Sequence, residues 1–245
     1  MKRSTGVVAL ATLALSSAAL AGSFGVSPTR VDLDRGAKSA IVEVMNDDTA
    51  TLSFQAKLFE WHQGPDGKDE YTESQDLIYF PQIFTVPAKA KRVIRVGIKA
   101  PAAGAEKAYR LFIEETPEPA REQSAAGPQV RVVLRFGVPV FVAPQSPLRK
   151  LEVEGVEVAR GKALLTIRNV GNQSARFESF RLMRGEDTVG EASGWYVLAG
   201  AHRTFEIPVD AARCPLSGPL DAVAAGQGVT LKQSFDASAL LCERS

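Results

Sequence analysis

The chain has 245 residues, 45% hydrophobic and 23% charged, with 29 basic residues against 28 acidic ones and a formal net charge of +1. That composition is globular, and the lack of a basic excess argues against a nucleic-acid partner, which needs clustered Lys and Arg to neutralise phosphates. With 2 Cys and 2 His, placed far apart in the sequence, the chain is also too poor in soft ligands for a structural metal site, and no cofactor is expected.

The first segment is an address. Lys2 and Arg3 form a positive n-region, Val7 to Leu15 an apolar core, and Ala19-Leu20-Ala21 a small-x-small cleavage pattern. Ser16 and Ser17 interrupt the apolar run, which is too short to span a bilayer. Residues 1–21 are thus expected to be a cleaved secretory signal peptide. The chain left behind has 27 basic residues against 28 acidic ones, about −1, and no later stretch apolar enough for membrane insertion.

Strand follows strand from there. Val26 to Leu33 carries Pro28 near its beginning, which suits an edge. Ala40 to Met45 leads into the turn residues Asn46-Asp47-Asp48, and Leu52 to Trp61 alternates apolar and polar positions. A polar loop from His62 to Asp76 holds the turn Pro65-Asp66-Gly67-Lys68. Leu77 to Val86 is apolar but broken by Pro81, and Lys91 to Ile98 and Ala108 to Thr116 are further strands. A polar loop from Ala120 to Pro128 precedes the longest stretch of all.

That stretch, Gln129 to Pro144, puts Val130, Val132, Leu134, Phe136, Val138, Val140 and Val142 at every second position, the period of one strand face. At roughly 3.3 Å per residue it would reach on the order of 45 Å, about twice an ordinary strand. Such a strand is either the centre of a sandwich or an edge on which another chain can pair. Arg135 lies on the face opposite the valines, followed by Gly137 and Pro139.

Two prolines bracket a polar pair at Pro144 to Pro147, and strand patterns then resume. They run over Leu151 to Val158, Ala163 to Asn169, Arg176 to Met183, Thr188 to Val189, Trp195 to Leu198, Thr204 to Val209, Ala222 to Ala224 and Val229 to Phe235. The expected fold is all-β, two immunoglobulin-like β-sandwich domains in tandem over residues 22–144 and 145–245. Cys214 and Cys242 would most simply form one disulfide in an oxidising compartment. Their spacing does not fit the antibody pattern, because Trp61 and Trp195 both precede Cys214.

Nothing points to an enzyme. The sequence lacks a nucleophile elbow, a phosphate-binding loop, H-E-x-x-H and C-x-x-C, and a Ser or Cys nucleophile would have only His62 and His202 as bases. Glu114 and Glu115 are adjacent on a strand and face opposite sides, so they cannot flank one bond.

Several motifs carry a resemblance. V-S-P-T-R-V at Val26 to Val31, V-M-N-D-D at Val44 to Asp48, F-P-Q-I-F-T-V-P-A-K-A-K-R-V-I-R-V at Phe80 to Val96, Y-R-L-F-I-E-E-T-P at Tyr109 to Pro117 and V-P-V-F-V-A-P at Val138 to Pro144 stand in order along the first domain. In this set the chain resembles the PapD-like periplasmic chaperones of the chaperone/usher pathway, and its V-P-V-F-V ending resembles the archaic or spore-coat-type branch more than the best-studied pili. The resemblance implies two domains set at an angle with a cleft between them, in the periplasm. It also implies a binding mode in which main-chain pairing along Val130 to Val138 completes the unfinished sandwich of a pilus or fimbrial subunit. Val130, Val132, Leu134 and Phe136 would fill the subunit's groove, and an outer-membrane usher would receive the complex.

The resemblance further implies a basic anchor for the subunit's terminal carboxylate, and Arg30 matches the family's arginine. The family lysine on the long strand aligns with Pro139, which has no N–H to donate. Arg110 and Arg135 are the candidates to replace it. The free chain could cover its long strand by self-association, and the alternative function is a secreted β-sandwich binding protein or adhesin-like module with no usher-linked assembly role.

Overall fold

In a computed structural model, residues 24–100, 102–116 and 133–243 are described. The expected signal peptide, the loop of residues 120–128 and the donor positions Val130 and Val132 lie outside the described residues. The first sandwich holds β1 (Phe24–Ser27), β2 (Val31–Leu33), β3 (Ser39–Asn46), β4 (Leu52–Gln63), β5 (Asp69–Glu73), β6 (Leu77–Phe80), β7 (Ile83–Val86), β8 (Lys91–Ile98), β9 (Lys107–Glu115) and β10 (Arg135–Val142). The second holds β11 (Leu151–Ala159), β12 (Lys162–Asn169), β13 (Ala175–Arg184), β14 (Asp187–Ser193), β15 (Tyr196–Val197), β16 (His202–Pro208), β17 (Pro219–Gly226) and β18 (Val229–Asp236).

Each sandwich closes two sheets over its own apolar core. In the first, β1-β3-β8-β6 faces β2-β10-β9-β4-β5, with β7 also paired to β4. In the second, β11-β12-β16 faces β14-β13-β17-β18, with β15 paired to β13. The alternation read from sequence is what packs. Leu52, Phe54, Ala56 and Leu58 of β4 are buried, as are Val138, Val140 and Val142 of β10, and all belong to one cluster. Cys214 and Cys242 are joined by a disulfide that ties the C-terminal segment to the second core.

Prolines decide where the predicted strands break. Val26 to Leu33 is not one strand: it is interrupted at Pro28, with β1 paired antiparallel to β3 in one sheet and β2 parallel to β10 in the other. Pro81 likewise splits Leu77 to Val86 into β6, paired to β8, and β7, paired to β4 in the opposite sheet. The polar stretch after His62 is in part a strand. β5 hydrogen-bonds to the end of β4, and its mostly exposed Asp-Glu-Tyr-Thr-Glu sequence has no apolar alternation by which to announce itself.

The hairpin of β4 and β5 also fixes the two sandwiches together. Gln63 Nε2 donates to Tyr196 O at 2.9 Å while its Oε1 accepts from Leu198 N–H at 2.9 Å. Asp69 accepts from Trp195 Nε1 at 2.7 Å and from Arg203 Nη1 at 2.9 Å. Gly67 at the hairpin tip has φ +73°, and a Cβ there would stand 3.0 Å from the Arg203 backbone, so the close approach requires glycine. Between these contacts Trp61, Ala108, Phe141, Tyr196 and Leu198 form a small buried cluster of their own.

Glu106 completes the junction, its backbone N–H donating to Asn172 O at 2.8 Å and its Oε1 accepting from Ser174 N–H at 2.9 Å. Burial pushes its carboxyl above the ordinary glutamate value, and the Ser174 bonds pull the other way without cancelling it. The native state therefore holds its proton to higher pH than the unfolded chain, and stability falls as pH rises from the ordinary value through the raised one. Glu106→Gln keeps the acceptor and removes the charge. Its urea midpoint should exceed that of the wild type at neutral pH, and the two should converge at about pH 4.

Candidate functional site

β10 has two faces and two edges, and among the described residues part of one edge has no strand partner. Its even-numbered residues face the core: Val138, Val140 and Val142 are 2%, 0% and 2% exposed. Leu134 packs at the rim of that core, and Phe136 is 40% exposed with its ring edge-on to Phe24 at 5.0 Å. β9 pairs with β10 along its full length, from Arg135 to Val142. On the other side β2 pairs only with Val140, Phe141 and Val142. Arg135 to Pro139 thus form an edge with no strand partner among the described residues.

The hydrogen bonds show which groups line that edge. Glu115 N–H donates to Leu134 O at 3.1 Å on the β9 side, and Ala143 N–H donates to Leu33 O at 2.8 Å on the β2 side. Main-chain groups alternate in direction along a strand, so even positions of β10 face β9 and odd positions face outward. The open edge is built from Arg135, Gly137 and Pro139.

All three candidate arginines lie on or beside this sheet, each stacked on an aromatic ring. Arg30 grips Asp32 through Nε to Oδ2 at 2.8 Å and Nη2 to Oδ1 at 2.7 Å, and its guanidinium lies 4.4 Å from the Phe141 ring centre. Burial works against its charge, but the bond and charge of Asp32 outweigh that and hold its pKa above the ordinary arginine value. Its fork is occupied by a neighbour two residues away, a partner that sequence reading did not single out.

Arg110 is different. It sits directly across from Pro139 in the β9–β10 ladder and is 6% exposed. Nη1 donates to Gly137 O at 2.8 Å, and the guanidinium stands 4.2 Å from the Trp61 ring and 5.1 Å from the Trp195 ring. Nε and Nη2 are buried with no hydrogen-bond partner among the described residues. Arg135 is exposed and lies 3.7 Å over the Phe112 ring. That ring covers Gly137, where a Cβ would come within 2.9 Å of it.

Arg30 and Arg110 are brought around one aromatic cluster. Trp61 lies 6.0 Å from Phe141 and 5.3 Å from Tyr196, and Phe141 lies 5.5 Å from Tyr196. Arg135 stands apart, on Phe112. Of the site residues missed in the sequence, Phe141 had a visible signal, since it falls on the face of the long strand opposite the valines. Asp32, Trp195 and Tyr196 had none, because their roles depend on how the two sandwiches meet. Among the described residues no group of three or more His, Cys, Asp or Glu could hold a metal ion, and no helix is long and apolar enough to cross a membrane.

The family described as pili and flagellar-assembly chaperone, PapD N-terminal domain, matches residues 23–147, just over half of the chain. The chain belongs to this chaperone family. It is a periplasmic chaperone of pilus and fimbrial subunit binding and assembly. No curated protein sequence matches it.

Solved structures share the two-sandwich fold of this chaperone. One is the CsuC–CsuE complex of a chaperone with a tip adhesion subunit, from the archaic Csu pili of Acinetobacter baumannii. It is 20% identical, covers 87% of this chain and 98% of that one, and has a TM-score of 0.62. The Salmonella enterica SafA pilin with the SafB chaperone gives 16% identity, 87% and 97% coverage and a TM-score of 0.58. The Pseudomonas aeruginosa CupB2 chaperone gives 15%, 87% and 100%, and 0.54.

The chaperone holds Arg110 at a cost to its own stability, since two buried guanidinium nitrogens have no hydrogen-bond partner among the described residues. Arg110→Met removes the charge and keeps much of the side-chain length packed between the tryptophans. The free variant should be more stable than the wild type by about 1–3 kcal/mol, seen as a higher urea midpoint with an unchanged slope.

Proposed function

We propose that this chaperone captures fibre subunits by lending them the open edge of β10, and that it hands them to an outer-membrane usher. The observation that carries the reading is that edge, Arg135 to Pro139, without a strand partner among the described residues, while the opposite edge and the apolar face of β10 are engaged in its own fold. A subunit that lacks its last strand would pair its main chain along the edge, while Val130, Val132, Leu134 and Phe136 fill its groove. Each fully buried Val or Leu adds roughly 1.5–3 kcal/mol, so a few such side chains supply much of a tight complex before ordering costs are subtracted.

The partners of the matched structures support this reading, since CsuC is seen with a tip adhesion subunit and SafB with a pilin. For the carboxylate anchor we favour Arg110. Its two nitrogens without a partner among the described residues and its place across from Pro139 suit that role, whereas Arg30 already grips Asp32 and Arg135 lies on Phe112. A planar guanidinium takes a carboxylate through two parallel bonds, which sets register as well as adding energy. The reading includes removal of residues 1–21 as a signal peptide and domains at 22–144 and 145–245.

The test is co-production with a fibre subunit in a periplasm. Wild type should yield a soluble one-to-one complex. Replacing both Leu134 and Phe136 by Glu should abolish it while the variant chaperone stays folded, because two charges cannot enter an apolar groove unpaired. Subunits that stay soluble without the chaperone, or a doubly charged variant that captures them as well as wild type, would overturn the proposal.

A further inference from the structure

The open edge of β10 has a definite end, and the groups that make it lie within three residues. From Val140 onward the outward side is taken by β2. One odd position earlier stands Pro139, buried and without an N–H to offer. One odd position before that, the Gly137 carbonyl already accepts the Arg110 guanidinium at 2.8 Å. The last main-chain donor facing outward is therefore the Gly137 N–H, and beyond it an approaching strand meets Pro139, which has no N–H, and then β2.

We infer that Pro139, together with the Arg110–Gly137 contact, is a register stop: it sets how far along β10 an incoming subunit strand can pair. This rests on the reading that the open edge is the paired edge, and deepens it by naming the residues that position the ligand. A strand that entered with no stop could slide along β10 by two residues at a time, keeping every side chain on its proper face. Removing one donor breaks that degeneracy, because the slipped alignment would leave a main-chain acceptor of the subunit facing a proline ring.

The stop also lies where it is useful. Pro139 is directly opposite Arg110, so a strand whose last rung is the Gly137 N–H ends beside a guanidinium with two nitrogens that have no partner among the described residues. A strand whose C-terminal end lies there runs parallel to β10 and in line with β2, which is also parallel to it. Proline at position 139 then does by exclusion what a long cationic side chain at the same place would do by attraction.

The experiment is amide hydrogen exchange, by NMR, on the one-to-one complex with a co-produced fibre subunit. In the wild-type complex the Gly137 N–H should exchange at least roughly 100-fold more slowly than in the free chaperone. In the complex of Pro139→Ala the new amide should be protected to a similar degree, and cysteine cross-links between β10 and the subunit strand should shift by two residues.

A complex that forms and leaves the Gly137 amide unprotected overturns the stop while leaving capture intact, as does a Pro139→Ala complex whose new amide exchanges freely and whose cross-links do not move. Failure of wild type to bind any subunit overturns the edge reading itself. The Gly137 measurement needs no variant, so the inference is tested even if Pro139→Ala folds poorly.

Discussion

A β-strand has two faces and two edges, and the constraint that organises this protein is that β10 commits all but one stretch of them to its own fold. Its valine face closes the first core, its other face carries Phe141 to the junction between the sandwiches, and one edge is paired throughout with β9. An unpaired edge in water is ordinarily a liability that proteins blunt with charge, proline or a bulge. Here Arg135 and Pro139 lie on the open stretch, so it is guarded against indiscriminate pairing and still has free main-chain groups. Such an edge suits the proposed completion of a subunit's sheet.

The sheet that carries the open edge is tied to the second sandwich through the junction. The β4–β5 hairpin reaches from the first sandwich onto β15 and β16 of the second, where Gln63 and Asp69 satisfy side-chain and main-chain groups across the boundary. The aromatic residues beneath serve both sides: Trp61 and Phe141 come from the first sandwich, Tyr196 from the second, and two of the three candidate arginines lie on their rings. Cation–π contact stabilises a guanidinium in a partly desolvated site, and Arg110 stands over the Trp61 and Trp195 rings in this way.

The two sandwiches reuse one device. Asn46, at the end of β3, is buried, and its amide donates to the carbonyls of Ala50, Val86 and Pro87 while its Oδ1 accepts from Asp48 N–H. Asn169, at the end of β12, does the same work with Gln173, Val197 and Gly171. In each case a side-chain amide takes the place of main-chain hydrogen bonds that a tight turn between strands leaves unmade. Neither core could close over such a turn with the carbonyls unsatisfied.

The alternation of Val138, Val140 and Val142 determined, by itself, that β10 is a strand with one face on a core, and the proline positions and apolar runs determined an all-β chain of two sandwiches. These are local properties, set by the two-residue period of an extended backbone and by the missing N–H of proline. The partners across a sheet are not local. That Pro28 and Pro81 send their strands to opposite sheets, that β5 exists at all, that Arg30 is held by Asp32 and that Arg110 faces Pro139 between two tryptophans were decided only when distant segments came together. Burial, pairing and the freedom of an edge belong to the packed chain, and no window of sequence contains them.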